Sequence, residues 1–172
     1  DIKKILKVIK KINNPPGRLE KIEKYNGKFT VIVDFAHTPD ALKKVLIANT
    51  SSKNKPNVVF GCGGERDKTK RAKMGSIANK YANKVYITDD NPRNENPEKI
   101  RRTILSKCNK GVEISDRKEA IRLAIKELEK NKILIIAGKG HEKIQINKNS
   151  IKFFDDLKVA KNELRKKNDW IR

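Results

Sequence analysis

Two spacings of apolar residues alternate along the chain. Short runs with no polar interruption, at 31–33, 58–60 and 133–136, are typical of strands that are buried on both faces. Between them, apolar residues recur every three or four positions, as at 41–46 and 121–128, and this spacing predicts amphipathic helices. The alternation predicts an α/β fold with a Rossmann-like, mostly parallel sheet that has helices on both faces.

Turn and cap residues set the boundaries of the predicted elements. Asn26-Gly27, a dipeptide suited to positive φ at both turn positions, predicts a hairpin between strands 19–25 and 28–34. A second antiparallel hairpin, between strands 144–146 and 151–153, is predicted at an edge of the sheet. The other predicted elements are a helix at 2–12 ended by residues 13–17, strands at 85–88 and 112–114, and helices that begin at Thr38-Pro39, Lys70, Asn96-Pro97, Asp116 and Asp155.

Polar and glycine-rich segments follow four of the predicted strands. These segments are residues 34–40, 61–68, 89–93 and 138–142. The carboxyl ends of parallel strands lie at one edge of a sheet, and ligands bind beyond that edge. Because loops in this position commonly carry function, we predict a shared ligand site formed by the four segments.

The segment Asp89-Asp90-Asn91-Pro92-Arg93 is the most informative of the four. Carboxylates, an amide and a guanidinium suit a small molecule that carries charges of both signs. The guanidinium of Arg93 presents a planar fork of donors that matches a carboxylate. The alternative interpretation is a solvated turn that caps the next helix.

The glycines allow the backbone to approach a ligand, but they do not form a triphosphate cradle. Neither G-x-x-x-x-G-K-[ST] nor G-x-G-x-x-G occurs in the sequence. We therefore expect the chain to add single side chains to a nucleotide held elsewhere. Asp34 is one candidate, although it would also suit a turn cap, and Lys139 is another. Cys62 is interpreted as a small buried residue that fills space between glycines.

The charge balance raises nucleic acid as a partner. The chain has 42 Lys and Arg residues against 21 Asp and Glu residues, for a net charge of +21. The basic residues are spread over the whole chain, however, and only 5% of the residues are aromatic, which leaves few side chains to stack on bases. A specific nucleic-acid complex is therefore the less favoured interpretation.

Other classes of protein are disfavoured by what the sequence lacks. No apolar run approaches the roughly 20 residues of a membrane span, and no signal peptide is visible, so we expect a cytoplasmic protein without membrane insertion. Cys62 and Cys108 are far apart and lack metal-ligand spacing. With His37 and His141 as the only histidines, we expect no metal site in this chain.

Seven strings of the sequence resemble the C-terminal domain of the Mur ligases. They occur in the order of the family and span nearly the whole chain. The strings are PGRLE at 16–20, VDFAHTPDAL at 33–42, VFGCGGERDKTKR at 59–71, MG at 74–75, TDDNPRNENP at 88–97, DRKEAI at 116–121 and AGKGHE at 137–142.

The resemblance implies roles for two sets of residues. The DNPR string looks like the version that selects meso-diaminopimelate, because lysine-adding members of the family carry another residue where Arg93 stands. The residues implied to bind diaminopimelate are Arg66, Asp90, Asn91, Pro92, Arg93, Gly138 and Glu142. The residues implied to reach a nucleotide are Arg18 and Asp34, with His37 and Lys139 as weaker assignments.

The resemblance also implies a reaction and partners. Mur ligases use ATP and Mg²⁺ to convert a carboxylate of a UDP-linked substrate, here UDP-MurNAc-L-Ala-D-Glu, to an acyl phosphate that the incoming amino group attacks. The family holds ATP in a central domain and the UDP-sugar in an N-terminal domain. We expect residues 1–14 to be a junction helix from the central domain and residues 15–172 to be the C-terminal domain, a fragment or part of a split enzyme that is inactive alone. The alternative is a stand-alone module that binds an amino acid or nucleotide without catalysis.

Overall fold

The order of strands and helices follows the predicted alternation. The computed structural model describes residues 1–9, 14–24, 29–51 and 54–169. The elements are α1 (Ile2–Ile9), β1 (Glu20–Lys24), β2 (Phe29–Asp34), α2 (Pro39–Ala48), β3 (Asn57–Phe60), α3 (Thr69–Tyr81), β4 (Val85–Ile87), α4 (Pro97–Leu105), β5 (Gly111–Glu113), α5 (Arg117–Lys126), β6 (Ile133–Ala137), β7 (Ile144–Asn147), β8 (Ser150–Phe153) and α6 (Asp156–Asp169).

Six strands form the main sheet in the order β1-β2-β6-β3-β4-β5. Strands β2 to β6 pair in parallel, and β1 pairs antiparallel with β2 at the edge. The central strand β3 lies in register with both neighbours, so that Val59 is opposite Ile136 of β6 and Tyr86 of β4. The loops that follow β2, β6, β3 and β4 therefore emerge side by side, and we call this edge the carboxyl rim.

Alternate side chains of the strands pack into two hydrophobic cores, one on each face of the sheet. Val58 and Phe60 pack on the face covered by α2, α3 and α4. Val59, which lies between them, packs on the opposite face against α5 and α6. Burial on both faces explains why these strands lack polar positions, and it confirms the predicted sheet with helices on both sides.

Side-chain caps set the starts of four helices as predicted. Thr38 accepts from the amide of Ala41, and Asn96 accepts from the amides of Glu98 and Lys99. Asp116 and Asp155 each accept from the amide three residues further on, at the starts of α5 and α6. Each cap satisfies an amide that has no partner inside its own helix.

The predicted edge position of the second hairpin is wrong. Strands β7 and β8 pair with each other as predicted but form a separate two-stranded sheet. Their partners are the polar residues after β4: the amide of Arg93 donates to the carbonyl of Ile146, at 3.1 Å. The hairpin therefore lies over the carboxyl rim, where its backbone groups bond to the loop after β4, and it adds no strand to the main sheet.

Two predictions extend beyond the described residues. The turn at Asn26-Gly27 and the last part of the predicted first helix, residues 10–12, lie outside them. In α1, the described side chains of Ile2, Ile5 and Leu6 are exposed. Its assignment as a junction between domains stays a prediction. None of the described helices is long and apolar enough to span a membrane.

Candidate functional site

A cavity of about 210 Å³ lies at the carboxyl rim, between the loops that follow four neighbouring strands. The glycine loop (residues 61–68) and the DNPR loop (residues 88–96) form two of its walls. Polar residues of both charge signs line it, together with glycines that leave the space open. The lining residues are Phe35, His37, Gly61, Cys62, Gly63, Arg66, Lys70, Asp90, Asn91, Arg93, Gly138 and Glu142.

Two guanidinium groups give the cavity a cationic side. Nη1 of Arg93 donates to the carbonyl oxygens of Gly64, at 2.9 Å, and Asn91, at 3.3 Å. Among the described residues, Nε and Nη2 of Arg93 have no hydrogen-bond partner, and neither does the guanidinium of Arg66. Arg93 is thus oriented by its own loop and the glycine loop while part of its fork remains available to a carboxylate.

Two carboxylates give the cavity an anionic side. The carboxylate of Asp90 accepts no hydrogen bond from the part of the chain that the structure describes, although the residue is only 9% exposed. It lies so close to Gly138 that a Cβ there would be 3.0 Å from Asp90 Oδ2. Glu142 Oε2 accepts from Asn91 Nδ2 at 3.0 Å. An ammonium group in the cavity would find acceptors on both carboxylates.

The amide of Asn91 organises this part of the cavity. Its Oδ1 accepts from Lys139 Nζ at 2.9 Å and from the amide of Ile146 at 3.1 Å, while its Nδ2 holds Glu142. Lys139 is fully buried, and its ammonium also lies 3.4 Å from Glu142 Oε2. Lys139 itself does not line the cavity, and its direct contact with a nucleotide stays a prediction without geometric support.

Residues 89–93 of the DNPR loop do not form a solvated turn, and that alternative is wrong. Asp90, Asn91 and Pro92 are buried. Pro92 does not line the cavity but packs behind it, where a Cβ on Gly64 would lie 1.9 Å from the Pro92 carbonyl oxygen. The amide that caps the next helix belongs to Asn96. Gly64 is thus required for the glycine loop and the DNPR loop to approach each other.

Three of the four residues implied to reach a nucleotide lie next to β1 and β2: Arg18 shortly before β1, Asp34 at the end of β2 and His37 in the loop after it. Asp34 uses its two carboxylate oxygens on the amides of Leu19 and Ala36, each at 2.8 Å. The guanidinium of Arg18 lies 5.1 Å from the ring centre of Phe35, and that ring stacks at a tilt on His37. Only His37 of this set lines the cavity, and the nucleotide roles stay predictions.

Two features complete the cavity wall. The thiol of Cys62 lies 3.7 Å from Met74 Sδ, and burial raises the pKa of this thiol to about 12. It is therefore a neutral packing residue at neutral pH, and the interpretation of Cys62 as a space-filling residue is confirmed. Lys70 also lines the cavity and donates to the carbonyl of His37 at 2.8 Å. The sequence reasoning missed Lys70 because a lysine in the first turn of a helix looks like a solvated residue.

The charges of the cavity suit a small zwitterion with more than one carboxylate. The two guanidiniums would pair with carboxylates, and the carboxylates of Asp90 and Glu142 would pair with ammonium groups. Such pairs are strong when water is excluded and each partner is hydrogen-bonded. An amino acid with an acidic group at each end would match both sides of the cavity at once.

Comparison with known proteins gives one family. Residues 17–140 match the model of the Mur ligase family described as the glutamate ligase domain. The UDP-N-acetylmuramoyl-L-alanyl-D-glutamate–2,6-diaminopimelate ligase of Rickettsia bellii is 46% identical in an alignment 165 positions long that covers 93% of this chain and 34% of that protein. The ligase of the same name from Buchnera aphidicola is 47% identical in an alignment 173 positions long, gaps included, that covers 98% of this chain and 33% of that protein.

A solved structure of a ligase with the same name has the same fold. It superimposes with a TM-score of 0.80 and 35% sequence identity, over 98% of this chain and 35% of that one. The chain thus spans about a third of the length of these relatives. The match to the family model covers both the glycine loop and the DNPR loop.

Proposed function

The chain belongs to the Mur ligase family, and from that premise we propose that it forms the amino-acid-binding domain of a ligase that adds meso-diaminopimelate to UDP-MurNAc-L-Ala-D-Glu. The proposed product is a peptidoglycan precursor made in the cytoplasm. In the reaction, an amino group of diaminopimelate attacks an acyl phosphate, an amide bond forms and phosphate leaves. This domain would present that amino group.

The arrangement of free charges in the cavity carries the proposal. Diaminopimelate has an ammonium and a carboxylate at each end, whereas lysine lacks one of the two carboxylates. The free donors of Arg93 would bind that extra carboxylate, while Asp90 and Glu142 would accept from an ammonium group. With lysine in the cavity, the guanidinium of Arg93 would remain unpaired. A site that leaves one of its polar groups unpaired with a given ligand discriminates strongly against that ligand.

ATP and Mg²⁺ belong to the proposed reaction, and we expect their site to lie mainly outside this chain. Among the described residues, no group of three or more His, Cys, Asp or Glu side chains is placed to hold a metal ion. The sequence also lacks a P-loop string. We propose that the nucleotide is held mainly by residues outside this chain, with Arg18, Asp34 and His37 facing it from the part of the domain next to β1 and β2.

The test is calorimetric titration of the 172-residue chain with meso-diaminopimelate and, separately, with L-lysine. We expect diaminopimelate to bind with a Kd at least about tenfold lower, because a charged hydrogen bond is gained. Equal affinities would favour a stand-alone amino-acid module. Salt-dependent binding of DNA with no response to diaminopimelate would instead support the nucleic-acid interpretation.

A further inference from the structure

A bidentate ion pair connects the first turn of α3 to the end of the DNPR loop. Arg71 Nη1 lies 3.0 Å from Glu95 Oε2, and Arg71 Nη2 lies 3.0 Å from Glu95 Oε1. The side chain of Arg71 is 5% exposed and that of Glu95 is 21% exposed. Planar pairing of this kind fixes the orientation of both groups more firmly than a single contact does.

The same two side chains also hold the backbone of the glycine loop. Arg71 Nη2 donates to the carbonyl of Gly63 at 3.3 Å. Glu95 Oε1 accepts from the amide of Glu65 at 2.5 Å. One ion pair therefore joins a helix, the glycine loop and the DNPR loop, and we call it the Arg71–Glu95 latch.

The two loops joined by the latch have strained backbones at the points where they meet. Glu65 has φ 54° and Arg93 has φ 53°, a region that side-chain-bearing residues rarely adopt. Such conformations persist where neighbouring contacts determine them. Between these residues, the amide of Gly64 donates to the carbonyl of Asn91 at 2.9 Å. The latch joins the same two loops, through Gly63 and Glu65 of the glycine loop and Glu95 of the DNPR loop.

The latch is close in sequence to both residues whose guanidiniums line the cavity. Arg66 follows Glu65, whose amide Glu95 holds, and Arg93 precedes Glu95 by two residues. Neither Arg71 nor Glu95 lines the cavity. The hydrogen bond from Arg71 and that from the amide of Glu65 lower the pKa of Glu95 to about 2, so this carboxylate is ionised at neutral pH.

We propose that Arg71 and Glu95 are positioning residues, whose latch sets the distance between the guanidiniums of Arg66 and Arg93 and thereby selects a substrate with two carboxylates. The inference rests on the proposed function and adds a specificity determinant to it. Arg71 and Glu95 act through the two loops and do not touch the substrate.

Glu95→Gln tests this inference because it removes the charge and keeps the shape of the side chain. In titrations of the chain, the Kd for meso-diaminopimelate should rise about tenfold, while the Kd for lysine should change less than about twofold. Glu98→Gln is the matched control: Glu98 forms an exposed pair with Arg102 nearby, and neither Kd should change.

Two further measurements separate positioning from plain stabilisation. Amide hydrogen exchange of the unliganded Glu95→Gln variant should be faster at Gly64 and Glu65 and unchanged at Val59 in the sheet. The double variant Arg93→Ala/Glu95→Gln should discriminate no worse than Arg93→Ala alone, since both changes remove the same interaction.

The possible results distinguish failure of the latch from failure of the proposed function. A Glu95→Gln variant that keeps the full preference for diaminopimelate would overturn the latch and leave the function intact. An equal loss for both ligands with a lower unfolding midpoint would also overturn it, because the pair would then only stabilise the fold. An unsubstituted chain without any preference would refute the proposed function, and the latch inference with it.

Discussion

Replacing Arg93 by alanine is expected to abolish the preference for meso-diaminopimelate over lysine. The change removes the donors that remain free in the cavity after Nη1 has bonded to Gly64 and Asn91. A hydrogen bond to a charged group contributes about 1.5–3 kcal/mol, so the Kd for diaminopimelate should rise roughly 10- to 150-fold. The Kd for lysine should stay nearly constant, and titration calorimetry measures both values.

Arg102→Ala is the control for this prediction. Arg102 is exposed on α4, pairs with Glu98 and does not line the cavity. Its removal leaves the net charge equal to that of the Arg93 variant, so any general electrostatic attraction of the ligand falls equally in both. The assignment of Arg93 would fail if the two variants lost affinity for diaminopimelate to the same extent.

Replacing Arg117 by methionine is expected to cause the largest loss of stability. Arg117 and Asp156 form an ion pair in which both side chains are 0% exposed, with two bonds of 2.8 Å. Burial alone would lower the pKa of Arg117, but the charge and hydrogen bonds of Asp156 raise it. Removal of one partner leaves a buried, unpaired charge and should lower the free energy of unfolding by about 3–5 kcal/mol.

Urea denaturation followed by circular dichroism measures this loss. Arg122→Met, on the same helix, removes an exposed pair with Glu119 and should cost less than about 1 kcal/mol. The double variant Arg117→Met/Asp156→Leu should recover most of the loss, because no unpaired charge remains. Similar losses of unfolding free energy in the Arg117 and Arg122 variants would show that the buried pair contributes no more to stability than the exposed pair.

The sheet and its helices were accessible from sequence because their signals are local. Runs such as Val58–Phe60 lack polar positions because the strand packs against helices on both faces. Caps such as Asn96 act within three residues, so they mark helix starts without knowledge of the fold. The position of the four polar segments at one edge then follows from the direction of parallel strands.

Other features depend on contacts between residues that are distant in sequence. The hairpin β7–β8 was recognisable, but its place over the carboxyl rim is set by bonds from Gln145 and Ile146 to the DNPR loop. From the sequence, Arg117 is expected on the polar, exposed face of an amphipathic helix. Its burial depends on the ion pair with Asp156, which is 39 residues away. No local pattern reports such a pairing.

In the candidate site, too, some residues could be placed from the sequence and others could not. Arg93 is predicted from its chemistry and its place after a strand, whereas Arg66 and Glu142 are predicted from the resemblance to the Mur ligases, and all three line the cavity. Lys139 also follows a strand, where it stands between two glycines, but its ammonium is buried against Asn91. The direction in which a side chain leaves the loop decides between these cases, and the sequence does not encode that direction locally.

The central claim is that Arg93 binds the carboxylate that distinguishes diaminopimelate from lysine. The most direct measurement is a crystal structure of the chain grown with meso-diaminopimelate. We predict a carboxylate of the ligand within hydrogen-bond distance of Nε or Nη2 of Arg93, and an ammonium group beside Asp90 or Glu142. A ligand bound away from this cavity, or an Arg93 side chain turned out into solvent while the ligand is bound, would contradict the claim.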